Sequence, residues 1–251
     1  MTAAPGGRLR TYRNPLRMFF SAGPWAATAY LTSYLPVGTI LFVVVLTTVV
    51  TSYALSITLL GLPLLVGAAV IVRGCAHIER WRARLVTDPI PYAYRPVTEP
   101  GLLAQIKTRW ADTTTLRDCA YLILMYVPLL ALATVVLSIW LALVGMVTLP
   151  LWFWSIPHSE GAHGVMIGYL PNLPDGPYVA FGDGGFGVWI GDLPSALIAA
   201  AVFFVLAVLA SYLVVGAARL HARAAQSLLG PYADPLAAAK QVLTEPGPLT
   251  R

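Results

Sequence analysis

The sixteen basic residues of this chain fall in three short stretches separated by long runs without formal charge. Arg8, Arg10, Arg13 and Arg17 form the first stretch. Arg73, Arg80, Arg82, Arg84, Arg95, Lys107, Arg109 and Arg117 form the second, and Arg219, Arg223, Lys240 and Arg251 the third. Between them, residues 18–72, 119–159 and 193–218 carry no acid, Lys or Arg. A Lys or Arg at the bilayer centre costs about 2.5–3.5 kcal/mol on insertion, and Lys/Arg beside a span is retained on the cytoplasmic face. The pattern therefore predicts a multi-pass membrane protein with both termini inside. A chain that is 58% hydrophobic and 11% charged, with mean hydropathy +0.73, does not describe a soluble domain.

One span needs about 20 apolar residues. The first uncharged run exceeds that and has Arg on both sides, so it crosses twice, near residues 28–50 and 53–73. The turn is expected around Thr47 to Tyr53, with Gly61-Leu62-Pro63 as the alternative break, and Met18 to Ala27 along the inner interface. The second run leads out to Leu151–Asp192, which carries Glu160, Asp175, Asp183 and Asp192 but no Lys or Arg. The third run returns inward. The expected fold is an all-α membrane protein of four transmembrane helices, with a small extracellular loop. The divisions are a cytoplasmic and interfacial segment 1–27, a first hairpin 28–73 and a cytoplasmic connector 74–117. A second hairpin 118–218, with its loop 151–192, and an exit helix and tail 219–251 complete the chain.

The halves resemble each other. Tyr34-Leu35-Pro36-Val37 precedes an apolar run ending Leu62-Pro63-Leu64, and Tyr126-Val127-Pro128-Leu129 precedes one ending Leu149-Pro150-Leu151. Both halves start inside, which predicts two parallel-repeated helical hairpins. Gly67, Ala68 and Ala69, with Ala200, Ala207 and Ser211, are small enough for close helix contact. No cleavable signal pattern precedes the first span. Cys75 and Cys119 fall at the inner edge, where a disulfide is not expected.

Asp88 to Pro96 reads as an extended, proline-punctuated linker. A helix opening after Pro100 places Leu103, Ile106 and Trp110 on one face and suits the inner leaflet. Thr115 with Asp118 reads as a capping box opening the third span. Arg73, Arg80, Arg82, Arg84, Lys107, Arg109, Trp110, Arg219 and Arg223 are candidate contacts to anionic headgroups on the inner leaflet. The basic balance, with a pI near 9.4, points to membrane lipid and not to nucleic acid.

The outer loop carries the most varied chemistry. Trp152, Trp154 and Trp189 suit an aromatic belt. Tyr178 to Ile190 reads as a β-hairpin turning at Asp183-Gly184. His158, Glu160 and His163 have a spacing compatible with a metal or a pH response, although such residues in a Gly-rich loop are more often solvated. These residues, with Asp183, are the candidate signal or ligand loop. Short of the flanking Arg73, the spans as placed hold no Asp, Glu, Lys, Arg or His, which disfavours a charged-substrate pathway. No catalytic constellation is visible and no cofactor or metal is expected, so the chain does not read as an enzyme.

The chain resembles the "putative sensor" domain of actinobacterial membrane proteins, often N-terminal in sensor histidine kinases. The matching stretches are Leu60-Gly61-Leu62-Pro63-Leu64-Leu65, Arg73 with Glu79-Arg80, Tyr94-Arg95-Pro96 and Thr115 to Leu122. Thr148 to Trp154, Leu193 to Leu197 and Leu228-Leu229-Gly230-Pro231 continue the match. Kinase members extend the exit helix into a dimerisation helix with a phosphoacceptor histidine, then an ATP-binding domain. No His follows His221 here. The resemblance implies a stand-alone sensor-like or accessory module in a bacterial plasma membrane, passing an envelope or lipophilic signal to a separate partner. That partner would be a kinase, a response regulator or a transporter subunit, and a homodimer is compatible. The alternative is a membrane subunit of an exporter for lipophilic cargo.

In a background with Cys75 and Cys119 replaced by Ser, cysteines placed at Ser159 and Gly182 should react with an impermeant thiol reagent outside intact cells. Cysteines at Thr98 and Ala237 should not. Labelling at Ala237 overturns the four-span topology.

Overall fold

The computed structural model describes residues 9, 11–58, 61–98, 100–157, 163–169, 179–182 and 185–231. The chain is mostly helical. Its helices are α1 (Pro15–Phe19), α2 (Ala22–Ala54), α3 (Gly61–Ala83), α4 (Leu102–Trp110), α5 (Thr113–Leu124), α6 (Tyr126–Val147) and α7 (Leu193–Leu229). Among the described residues, four helices are long and apolar enough to cross a membrane: α2 with its 3₁₀ extension to Ile57, α3, α6 and α7. This agrees with the expected fold class and with a multi-pass membrane protein.

The helix bounds correct several details. Met18 to Ala27 is helical for most of its length: Met18 is fully buried in α1, Phe20 is exposed, and α2 already begins at Ala22. The turn is not at Thr47 to Tyr53. There α2 stays helical, a short 3₁₀ turn follows at Leu55–Ile57, and α3 starts at Gly61. A Cβ on Gly61 would lie 2.1 Å from the Leu55 carbonyl oxygen, so the backbone approach requires glycine. Buried Ser52 donates to the Leu64 carbonyl at 3.2 Å, pinning this junction. The Thr115–Asp118 capping box is also corrected. Asp112 caps α5 by accepting the Thr114 amide at 3.1 Å, which leaves Asp118 free for a partner outside its helix. Pro36 lies inside α2, where its missing N–H costs one helical bond.

The chain divides into two compact units, and α2, α6 and α7 each continue from one into the other. The first unit comprises 1–35 and 130–220. It contains an aromatic cluster in which Phe19 meets Trp25, Trp140 and Phe204 at ring separations of 5.4–6.4 Å. It also contains a three-stranded antiparallel sheet, order β1-β3-β2, built from β1 (Val165–Tyr169), β2 (Val179–Gly182) and β3 (Gly185–Ile190). The expected hairpin is β2–β3, with Gly182 opposite Gly185. Its turn residues Asp183 and Gly184 lie outside the described residues. The third strand was not expected, because Val165 to Tyr169 is interrupted by Gly168. That glycine holds φ +107° opposite Gly187, where a Cβ would meet the Phe186 carbonyl at 2.3 Å.

The second unit comprises 36–129 and 221–251. Here α3 packs on α4 and α5. The Trp110 indole donates to the Leu65 carbonyl at 3.0 Å, and Phe42 stacks on Tyr126 with ring centroids 4.1 Å apart. The Tyr126 hydroxyl bonds that of Thr39 at 3.0 Å. Cys75 and Cys119 are free thiols.

Candidate functional site

The second unit holds a set of buried ionised side chains. Helix α3 runs without a break past the expected span end at 73 to Ala83, and so contains Arg73, Glu79, Arg80 and Arg82. Each of these arginines meets a carboxylate. Arg73 reaches Asp112 at 3.0 Å and donates to the Thr115 hydroxyl at 2.9 Å. Arg82 grips Glu79 with two nitrogens, at 3.2 and 2.7 Å, and Tyr121 lies 3.3 Å from the same carboxylate. Arg80 bonds Asp118 at 2.5 Å. A guanidinium in low dielectric is tolerated only when paired and hydrogen-bonded, and Arg offers the forked geometry for that.

Arg80 does more than pair. Its Nε and Nη2 both donate to the carbonyl of Leu229, the last residue of α7, at 3.1 and 2.9 Å. Its Nη1 donates to the Tyr94 hydroxyl at 2.8 Å, and that hydroxyl donates onward to Asp118 at 2.6 Å. Tyr92 and Tyr94 lie beside the guanidinium at 5.0 and 5.6 Å, and the edge of His77 meets Tyr92 at 4.5 Å. One side chain of α3 thus holds the linker, α5 and the end of α7 together. Two further contacts grip the same end: Arg117 donates to the Ser227 carbonyl, and Gln226 to the Thr87 hydroxyl. Carbonyls at a helix C-terminus lack intrahelical donors and carry partial negative charge, so a cation there is favourable.

Burial sets the acid–base character of this cluster. It pushes the Asp118 carboxyl up to about 6, while the Tyr94 hydrogen bond and the Arg80 charge pull it back down. The pairing with Arg80 favours the charged form of Asp118 against that burial. Burial also raises the Tyr94 phenol, helped by its bond to Asp118, so Tyr94 remains a donor. Burial pushes the Cys119 thiol up as well, with the Asp118 charge adding to the rise, so it stays protonated.

This placement corrects part of the expected lipid surface. Arg80 and Arg82 are each 3% exposed, with their guanidinium groups taken by carboxylates rather than presented to headgroups. Arg73 is also largely covered. Arg84, Lys107 and Arg223 are exposed, while Arg109, Trp110 and Arg219 are half-buried. Arg219 donates to the Leu9 carbonyl in the first unit. The sequence signal for the network is the interleaving of Glu79, Asp112 and Asp118 with the basic stretch.

In the first unit the candidate loop residues separate. Trp189 is buried rather than part of a belt, its indole close-packed against Gly164 and Gly191, where an added Cβ would meet it at 2.7 and 2.5 Å. Trp152 packs on the cluster of Leu149, Val165, Ile190 and Ala196 and donates to the Thr148 hydroxyl at 3.1 Å. Trp154 is 63% exposed, and its indole donates to the Leu151 carbonyl. His163 is exposed and bridges Pro157. His158, Glu160 and Asp183 lie outside the described residues, and no metal-holding group of His, Cys, Asp or Glu occurs among the described ones. Asp192 accepts the Ser195 amide at 2.8 Å where α7 begins, and the Ser195 hydrogen bonds hold its carboxyl below the usual range.

Removing one member of a buried ion pair strands the other, at a cost of about 3–5 kcal/mol. Asp118→Ala should lower unfolding stability in detergent by that order, and Arg80→Met with Asp118→Leu should recover part of the loss. A double variant no more stable than Asp118→Ala contradicts the pairing.

No curated protein and no solved structure matches this chain. The family described as "Putative sensor" matches residues 30–229, a stretch that takes in α3, the linker, α5 and the exit helix to Leu229. By that match, the chain belongs to the "Putative sensor" family.

Proposed function

We propose that this sensor-family module passes an envelope or lipophilic signal through α7 to a partner protein, using the Arg80 cluster as its output clamp. The observation that carries the reading is that one buried guanidinium binds both Asp118 and the terminal carbonyl of α7. Any change in how α3 lies against α5 must then be felt at Leu229, because the three share a donor set. The reading is non-catalytic: the polar side chains of the cluster are spent on one another and on helix ends. Interiors are close-packed and respond by switching between discrete arrangements, so a shared anchor of this kind suits a two-state response.

The signal end of this proposal is the segment between α6 and α7, where Trp154, Tyr169 and Phe186 present exposed aromatic surface on and beside the sheet. Exposed aromatic and apolar groups on a fixed scaffold suit an apolar or amphiphilic cue. Of the arginines and lysines proposed to face anionic headgroups, exposed Arg84, Lys107 and Arg223 retain that role here.

Affinity recovery from membranes in mild detergent tests the output. The wild-type chain should bring down a reproducible partner, and Arg80→Ala should lose it while still inserting. Recovery of the protein alone contradicts the signalling role, and undiminished recovery with Arg80→Ala contradicts the clamp.

A further inference from the structure

The N-terminal segment of the first unit contains a wide-open, cationic, apolar-walled surface cavity that the output clamp does not use. Tyr12, Leu16, Arg17, Phe20 and Ser21 line a space of about 360 Å³. Asn14 builds it by capping α1, accepting the Leu16 amide at 3.1 Å and the Arg17 amide at 3.5 Å. The Arg17 guanidinium lies 4.7 Å above the Tyr12 ring. The Tyr212 hydroxyl donates to the Tyr12 carbonyl at 2.8 Å, and Ser21 donates to the Met18 carbonyl at 2.7 Å, so the walls are fixed from α7 and from α1 itself.

Among the described residues the charge in this cavity meets no carboxylate, and the first acid in the sequence is Glu79. The contrast with Arg73, Arg80 and Arg82, each met by a carboxylate, is direct. Around the unpaired cation the surface is apolar: Phe20 is 71% exposed and Leu16 53%. The segment leads into α2, which is long and apolar enough to span a bilayer. A cation held against lipid-facing rings is costly unless an anion reaches it. The membrane itself supplies an anion with an apolar tail.

We infer that this cavity binds an anionic phospholipid, its phosphate on Arg17 and an acyl chain along Leu16 and Phe20. Arg forms forked, charge-assisted hydrogen bonds to phosphate. The Tyr12 ring beneath the guanidinium limits its orientations, so less freedom is lost on binding. The inference rests on the membrane-spanning reading and not on signalling.

Purified full-length protein in detergent, titrated with phosphatidylglycerol or phosphatidylcholine and read by native mass spectrometry, tests it. The wild type should retain phosphatidylglycerol in preference to phosphatidylcholine. Arg17→Gln should weaken that binding by about tenfold, the order expected for loss of a charged hydrogen bond. Arg17→Lys, which keeps the charge but not the fork, should restore only part of it, and Arg13→Gln, outside the cavity lining, should leave it unchanged. Phe20→Ser keeps the charge but removes the apolar wall, and should weaken phosphatidylglycerol too. Equal binding of the two lipids, or unchanged binding in Arg17→Gln or Phe20→Ser, overturns the proposal. Displacement by inorganic phosphate at matched concentration assigns the site to free phosphate and overturns the lipid reading. Lipid binding is measured on the isolated protein, so its failure is distinct from failure to recover a partner.

Discussion

A guanidinium taken out of water must be met by a carboxylate and by enough acceptors to satisfy its fork, and Arg80 satisfies that demand across four parts of the chain. It sits on α3, pairs with Asp118 of α5, shares Tyr94 of the linker and holds the last carbonyl of α7. Flanking pairs, Arg73 with Asp112 and Arg82 with Glu79, bring equal numbers of cations and carboxylates together. A buried ionic cluster is poor evidence for raw stability, because desolvation consumes much of the Coulombic gain. Its stronger consequence here is specificity. Apolar helices can slide past one another at small cost, whereas a guanidinium locked to one carboxylate and one carbonyl fixes the register of α3, α5 and the exit helix.

The first unit depends on packing of a different kind. Its sheet covers Leu149, Val165, Ile190 and Ala196, with Trp152 and Val188 against them, and Trp189 fills the space left by Gly164 and Gly191. Its helices meet through the rings of Phe19, Trp25, Trp140 and Phe204. Dispersion and ring contacts set this unit, and ion pairs set the other. The two are joined by continuous helices, of which α7 alone begins at the sheet and ends at Arg80's donors.

The membrane class and the four apolar helices were legible because charge is excluded from bilayer spans and Lys/Arg marks their ends. The β2–β3 hairpin was legible because Asp183-Gly184 sits between alternating apolar residues. The span ends were less so. α3 carries Arg73, Arg80 and Arg82 on to Ala83, where Asp112, Asp118 and Glu79 meet them, and that pairing was not legible. Burial of a charge depends on which partner the fold brings to it, and Arg80 lies 38 residues from Asp118 and 149 from Leu229. No local pattern encodes such distances. The same limitation put Trp189 in an aromatic belt: only the pairing of β1 with β3, and the two glycines beside it, show that its ring faces inward.

Amide hydrogen exchange across α7 addresses the central claim, that the ion-pair cluster fixes the end of the exit helix. With Asp118→Asn, Arg80 loses its charged partner, and amides of residues 221–229 should exchange faster than in the wild type. Amides of the sheet at 165–169 and 185–190 should keep their wild-type protection. Unchanged protection at 221–229 would contradict the account, because the end of α7 would then be held without the charge on Asp118.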